Sequence, residues 1–169
     1  MPKPGPPQSA AWYFRRVRDF ASALSGGDRR SIGRADKVVD AIRREPDRVE
    51  ELWGCLTHDD PIVRMRAADA LEKLSREAAA PFGAHKKALL DGSLDDGTAE
   101  MRWHLIAIAA RLALTAVEAK RLCAYLDDRL RHDASRIVRH GASGGLRPCR
   151  TPSRAEDVIR GHAEIRARL

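Results

Sequence analysis

The side chains of this 169-residue chain that could do chemistry are six histidines, three cysteines and a set of adjacent carboxylates. His58, His85, His104, His132, His140 and His162 are scattered, and no two stand one helical turn apart beside a glutamate, as a helical zinc site requires. Cys55, Cys123 and Cys149 form no Cys-x-x-Cys pair, so neither a zinc site nor a disulfide framework is implied. They read as small core residues in a reducing compartment. The pairs Asp59-Asp60, Asp95-Asp96 and Asp127-Asp128 fall where helices begin or end, and capping explains them without catalysis. Nucleophile elbows, phosphate-cradling loops and dinucleotide fingerprints are missing from the sequence. The expectation is a protein that is not an enzyme and needs neither metal nor cofactor.

Arginine is the other chemistry on offer. Lys and Arg total 31 against 24 Asp and Glu, a formal charge of +7, and 25 of the 31 are arginines. A guanidinium fork suits phosphate or carboxylate. Arg15, Arg16 and Arg18 follow the aromatic run Trp12-Tyr13-Phe14, a pairing suited either to an N-terminal cap or to bases and phosphates. Between residues 134 and 155 stand Arg136, Arg139, Arg147, Arg150 and Arg154 with no acidic residue. Arg66, Arg102, Arg111, Arg136 and Arg139 are candidates for one basic ridge, which would make nucleic acid a partner. Scattered over solvated helix faces, the same residues would serve only solubility.

The elements that must position these residues repeat along the chain. Arg64, Arg102 and Arg139 each follow an apolar residue (Val63, Met101, Val138) and are spaced 38 and 37 apart. At offsets of 4, 7, 8 and 11 from Val63 stand Ala67, Ala70, Leu71 and Leu74. The same offsets from Met101 hold Leu105, Ile108, Ala109 and Leu112, and from Val138 hold Ala142, Gly145, Leu146 and Cys149. Such offsets trace one stripe of an α-helix. Ala35, Val38, Val39 and Ile42 form a fourth, upstream copy. Leucine pairs four apart, Leu52 and Leu56, Leu90 and Leu94, Leu126 and Leu130, predict a second helix before each of the later three. One such pair cannot bury both its stripes, so pairs must stack.

Paired helices at this period, with Asp59-Asp60-Pro61-Ile62-Val63-Arg64 in the turn, resemble HEAT repeats over residues 31–147. The resemblance implies an all-α fold, a short right-handed α-solenoid of eight or nine helices stacked as antiparallel pairs. It also implies a ladder between neighbouring repeats, drawn from Asp59, Arg64, Asp96, Arg102, Asp133 and Arg139. Asp96 with Arg102 and Asp133 with Arg139 keep the family's six-residue separation, and Asp59 with Arg64 is one short. Such arrays ordinarily engage a protein segment, so a scaffold or binding role is the first expectation, with non-sequence-specific nucleic-acid binding as the alternative. HEAT-like alkylpurine DNA glycosylases are the nearest enzymatic precedent. Trp53, Trp103, Asp69 and Asp96 are residue types such a cleft uses, but none sits in a matching motif.

Helices are predicted near 10–24, 32–44, 47–57, 61–76, 82–91, 98–113, 115–131, 134–146 and 153–168, with no sheet. Residues 1–8, with four prolines, read as a disordered leader, 9–30 as a capping helix and turn, and 148–169 as a basic linker and last helix. Gly141, Gly144 and Gly145 make the last inner helix look like a degraded copy, since each costs about 1 kcal/mol relative to alanine. The longest apolar run, Leu105–Ala110, is far below the ~20 residues that span a bilayer, and no secretory signal opens the sequence. A cytoplasmic protein with no membrane partner is expected.

Overall fold

The computed structural model describes residues 19–26, 35–91 and 97–146, and every regular element in them is helical. The predicted leader, most of the first helix, Asp96, Cys149 and the last helix lie outside the described residues. The α-helices are α1 (Phe20–Leu24), α2 (Ala35–Arg44), α3 (Val49–Gly54), α4 (Pro61–Glu77), α5 (Lys86–Leu90), α6 (Ala99–Ala109), α7 (Ala116–His132) and α8 (Arg136–Gly145). Short 3₁₀ turns flank α3 on both sides and lead into α5, so the helix expected over 47–57 is one α segment between two tighter ones. None of the described helices is long and apolar enough to cross a membrane.

Side chains cap the starts of α1, α4, α6 and α7. Asp60 accepts from the Ile62 amide at 2.8 Å, and Pro61 takes the first helical position, where no donor is needed. Thr98 caps α6, and Thr115 with Glu118 closes a reciprocal capping box on α7. Helix α6 stops at Ala109 rather than running to 113.

Packing follows the apolar stripes. Val63, Ala67, Ala70, Leu71 and Leu74 are buried, as are Met101, Leu105, Ile108, Ala109 and Leu112, and Ala35, Val38, Val39 and Ile42. They join one continuous core with Leu52, Leu56, Leu122, Leu126, Val138 and Ala142. Helix α4 packs against both α2 and α6, and α6 against both α4 and α8. The helix preceding each lies against it: α1 on α2, α3 on α4, α5 on α6 and α7 on α8.

Two sequence expectations need correction. Cys123 is disulfide-bonded, while Cys55 is free and buried, its thiol pushed up to about 11 by burial. The picture of three reduced thiols therefore fails at Cys123. Nor are the glycines of α8 all signs of decay. A Cβ on Gly141 would stand 2.5 Å from Trp103 Cδ1, and one on Gly145 3.0 Å from Leu126 Cδ1, whereas Gly144 faces open space. The first two let α8 approach its neighbours closely.

Gly141→Ala should therefore destabilise the protein by about 1–3 kcal/mol through overpacking against Trp103. Gly144→Ala should stabilise it by about 0.5–1 kcal/mol. Urea unfolding of the two variants checks the opposite signs; equal shifts would mean that α8 is not seated on Trp103.

Candidate interaction surface

A groove of about 430 Å³ runs between α2 and α4. Its walls are Asp36, Val39, Asp40 and Arg43 from α2, and Lys73, Arg76 and Glu77 from α4. The spacings 36, 39, 40, 43 and 73, 76, 77 each place side chains on one helical face, so two solvent-side stripes meet across the groove. Three acids and three bases line it, and all but Arg76, which meets Glu72, are engaged with one another. Arg43 bridges to Glu77 across the groove and to Asp40 at 2.7 Å on its own helix. Lys73 Nζ lies 3.0 Å from Asp36 Oδ1 and 3.0 Å from Asp69 Oδ2.

This charge pattern continues inward toward α6. Glu72 is buried and accepts from Arg76, while Arg111, just past the end of α6, meets it at 2.7 Å and also donates to Ser75 Oγ at 2.9 Å. Burial pushes the Glu72 carboxyl up, but the hydrogen bonds from Arg76 and Arg111 and their charges outweigh it and leave the acid below its ordinary 4.5. Asp69 Oδ1 stands 3.9 Å from His104 Nε2. Asp36, Lys73, Asp69 and His104 thus form a polar chain crossing α2, α4 and α6.

Among the described residues, four of the five arginines expected to form a ridge, Arg66, Arg102, Arg111 and Arg139, are engaged within the protein. Arg66 is a correction: it is 2% exposed, and its guanidinium donates to the Leu24 carbonyl at 2.6 Å and to the Gly26 carbonyl, holding α1 to α4. Gly26, at φ +72°, sits where a side chain would be strained, and the turn there brings its carbonyl to Arg66. Arg111 is held by Glu72, so it too is no free member of a ridge. Arg136 is exposed on α8. Arg15, Arg16, Arg18, Arg147, Arg150 and Arg154 lie outside the described residues.

The residues expected to form a ladder share a different geometry. Arg64 donates to the His58 and Asp59 carbonyls at 2.6 and 3.0 Å. Arg102 donates to the Gly97 carbonyl at 2.9 Å, and Arg139 to the Asp133 and Ala134 carbonyls at 2.6 and 3.2 Å. Each arginine folds back five or six residues and closes its own entering turn. Among the described ladder residues a contact joins neighbouring pairs: the buried Asp133 carboxylate accepts from Arg102 Nη2 at 3.3 Å, as well as from the Ser135 amide at 2.8 Å. Asp59 meets Arg64 through its backbone carbonyl, and Asp60 is the residue that caps. The Asp60 amide donates to His58 Nδ1 at 3.0 Å, a turn contact rather than a ligand geometry.

Trp53 stacks on His85 with ring centroids 3.8 Å apart, and His85 Nε2 lies 2.9 Å from Glu50. Trp103 is the neighbour of Gly141. The two tryptophans thus serve separate packing sites. No group of three or more His, Cys, Asp or Glu side chains among the described residues is placed to hold a metal. No protein-family model matches the chain, and no curated protein or solved structure was found to match it.

The charged groove residues were not legible from the sequence as a site; of the lining only Val39 stood out, as part of an apolar stripe. Their spacings were visible, but which two faces would meet depends on the packing of α2 against α4.

Glu72→Gln keeps the shape of the side chain and removes its charge, leaving Arg111 and Arg76 without a buried carboxylate. The expected loss is about 1.5–3 kcal/mol at neutral pH. Because the folded-state acid lies below its ordinary value, its contribution is present above about 4.5 and fades as pH falls through the folded value. Denaturation of both proteins at neutral and acid pH checks this; a difference that persisted in acid would show that the charge of Glu72 is not its source.

Proposed function

We propose that the chain is a short HEAT-like solenoid acting as a non-enzymatic binding module for a protein segment, with the α2–α4 groove as its contact face. One observation carries this reading: the groove presents both charge signs, while Arg66, Arg102, Arg111 and Arg139 are engaged by carbonyl or carboxylate groups of the chain itself. A surface that holds polyanions needs aligned, unengaged cations. A surface of alternating sign suits a polypeptide carrying both signs, where charge complementarity sets orientation and rejects wrong partners. The successive packing of α2, α4, α6 and α8 supports the solenoid, because each pair then shares its core with the next.

Nucleic-acid binding stays as the second reading on one observation. Helix α8 carries Arg136 and Arg139 with no acidic residue, and Arg136 is exposed.

Fluorescence anisotropy with labelled single- and double-stranded DNA and RNA separates the two. The protein-binding reading predicts no nucleic-acid binding at about 200 mM salt and at most weak binding at about 50 mM. Binding that survives at the higher salt, yet weakens by about 10³-fold or more between the two, would replace it with the nucleic-acid reading.

A further inference from the structure

His104 occupies an unusual place for an imidazole. It projects from α6 toward α4 with its side chain 11% exposed, and its Nδ1 is buried without a hydrogen-bond partner among the described residues. Nε2 faces an acidic neighbour, Asp69 Oδ1, at 3.9 Å. That carboxylate is already engaged through its other oxygen by Lys73 at 3.0 Å. A neutral imidazole carries one N–H and one bare nitrogen, whereas the imidazolium carries two N–H groups that both need acceptors. Here the second has none.

We infer that His104 is an acid-sensitive latch between α4 and α6: the imidazole must be neutral for the two helices to pack as they do, and uptake of a proton loosens the joint. This inference is independent of the partner reading above.

The charges around the ring agree with it. Burial, the largest effect, disfavours the imidazolium; Asp69 and Glu72 favour it, and Lys73 and Arg76 oppose it, with the balance below the ordinary 6.5. All four groups lie on α4. On α6 itself, Arg102 is held by Gly97 and Asp133, and Arg111, beyond its end, by Glu72. From α5, Lys86 pairs with Glu118 and Lys87 is exposed. From α8, Arg139 closes its own turn, and Arg136 and His140 are exposed. Glu100 stands one turn before the ring on α6, but Asp69 is the carboxylate placed 3.9 Å from it, and Lys73 competes for that carboxylate.

The sign follows from linkage. Protons bind the unfolded chain at the ordinary imidazole value but bind the folded chain only at lower pH. Stability from this group is complete above about 6.5 and declines below it, the unfolding equilibrium constant rising by up to about tenfold per pH unit until the folded-state value is passed. This window lies above the ordinary carboxylate range.

Two measurements on the full chain test the latch. Imidazole nitrogen NMR of the histidine-labelled protein should show the His104 ring still neutral below its ordinary value. Urea unfolding between about pH 7 and pH 5.5 should show the unfolding constant rising several-fold for the wild type and staying nearly flat for His104→Gln. Lys73→Met, which frees Asp69, should move the ring's midpoint upward and shrink the acid loss. A ring that titrates at or above the ordinary value would overturn the inference, as would parallel acid loss in wild type and His104→Gln. If His104→Gln does not fold, the wild-type ring midpoint and its response to Lys73→Met decide alone.

Discussion

A helix that carries apolar or tightly packed residues on more than one flank has to be covered on both sides, and α4 is the helix on which this constraint falls hardest. Val63, Ala67, Ala68, Ala70, Leu71 and Leu74 are buried along it, together with Arg66, Glu72 and Ser75. Helices α2 and α6 provide the cover, and α3 with its following turn packs on it as well. Alanine at 67, 68 and 70 keeps these neighbours close. Polar links between neighbouring helices pass through α4, among them Arg66 to the α1 turn, Lys73 to α2, Glu72 to Arg111 and Asp69 to His104, while His85 to Glu50 bypasses it.

The polar groups buried beside that apolar stripe depend on it for their chemistry. In water Arg66 would make ordinary solvent contacts. In the core its guanidinium has to be met by carbonyl groups, and the left-handed Gly26 turn helps to supply them. Glu72 is tolerated because Arg76 and Arg111 meet it at once. His104 is tolerated in its neutral form. The packing thus decides which ionisable residues stay charged, which are spent on structure and which face the groove.

Much of the fold was legible in the sequence because helical burial has a one-dimensional signature. The offsets 4, 7, 8 and 11 after Val63 and Met101 marked residues that are all buried, and Asp60-Pro61 announced the start of α4. The candidate site was far less legible. Arg66 reads like any surface arginine until its partners, forty or more positions earlier, are brought alongside. Gly141 reads as a helix breaker until Trp103 is seen against it. Asp36, Asp40 and Glu77 were ordinary solvated charges in one dimension. They became a groove lining only when α2 and α4 paired, and side-chain periodicity within one helix carries no information about its neighbour.

Residue-resolved hydrogen exchange tests most directly the claim that α4 is the element on which its neighbours depend. If the account is right, amides in 61–77 and 99–109 exchange most slowly, near the rate set by global unfolding, with 20–24 and 136–145, which are covered by fewer of the described helices, exchanging faster. Exchange in 61–77 as fast as in 20–24 would contradict it, because α4 would then be opening independently of the helices said to cover it.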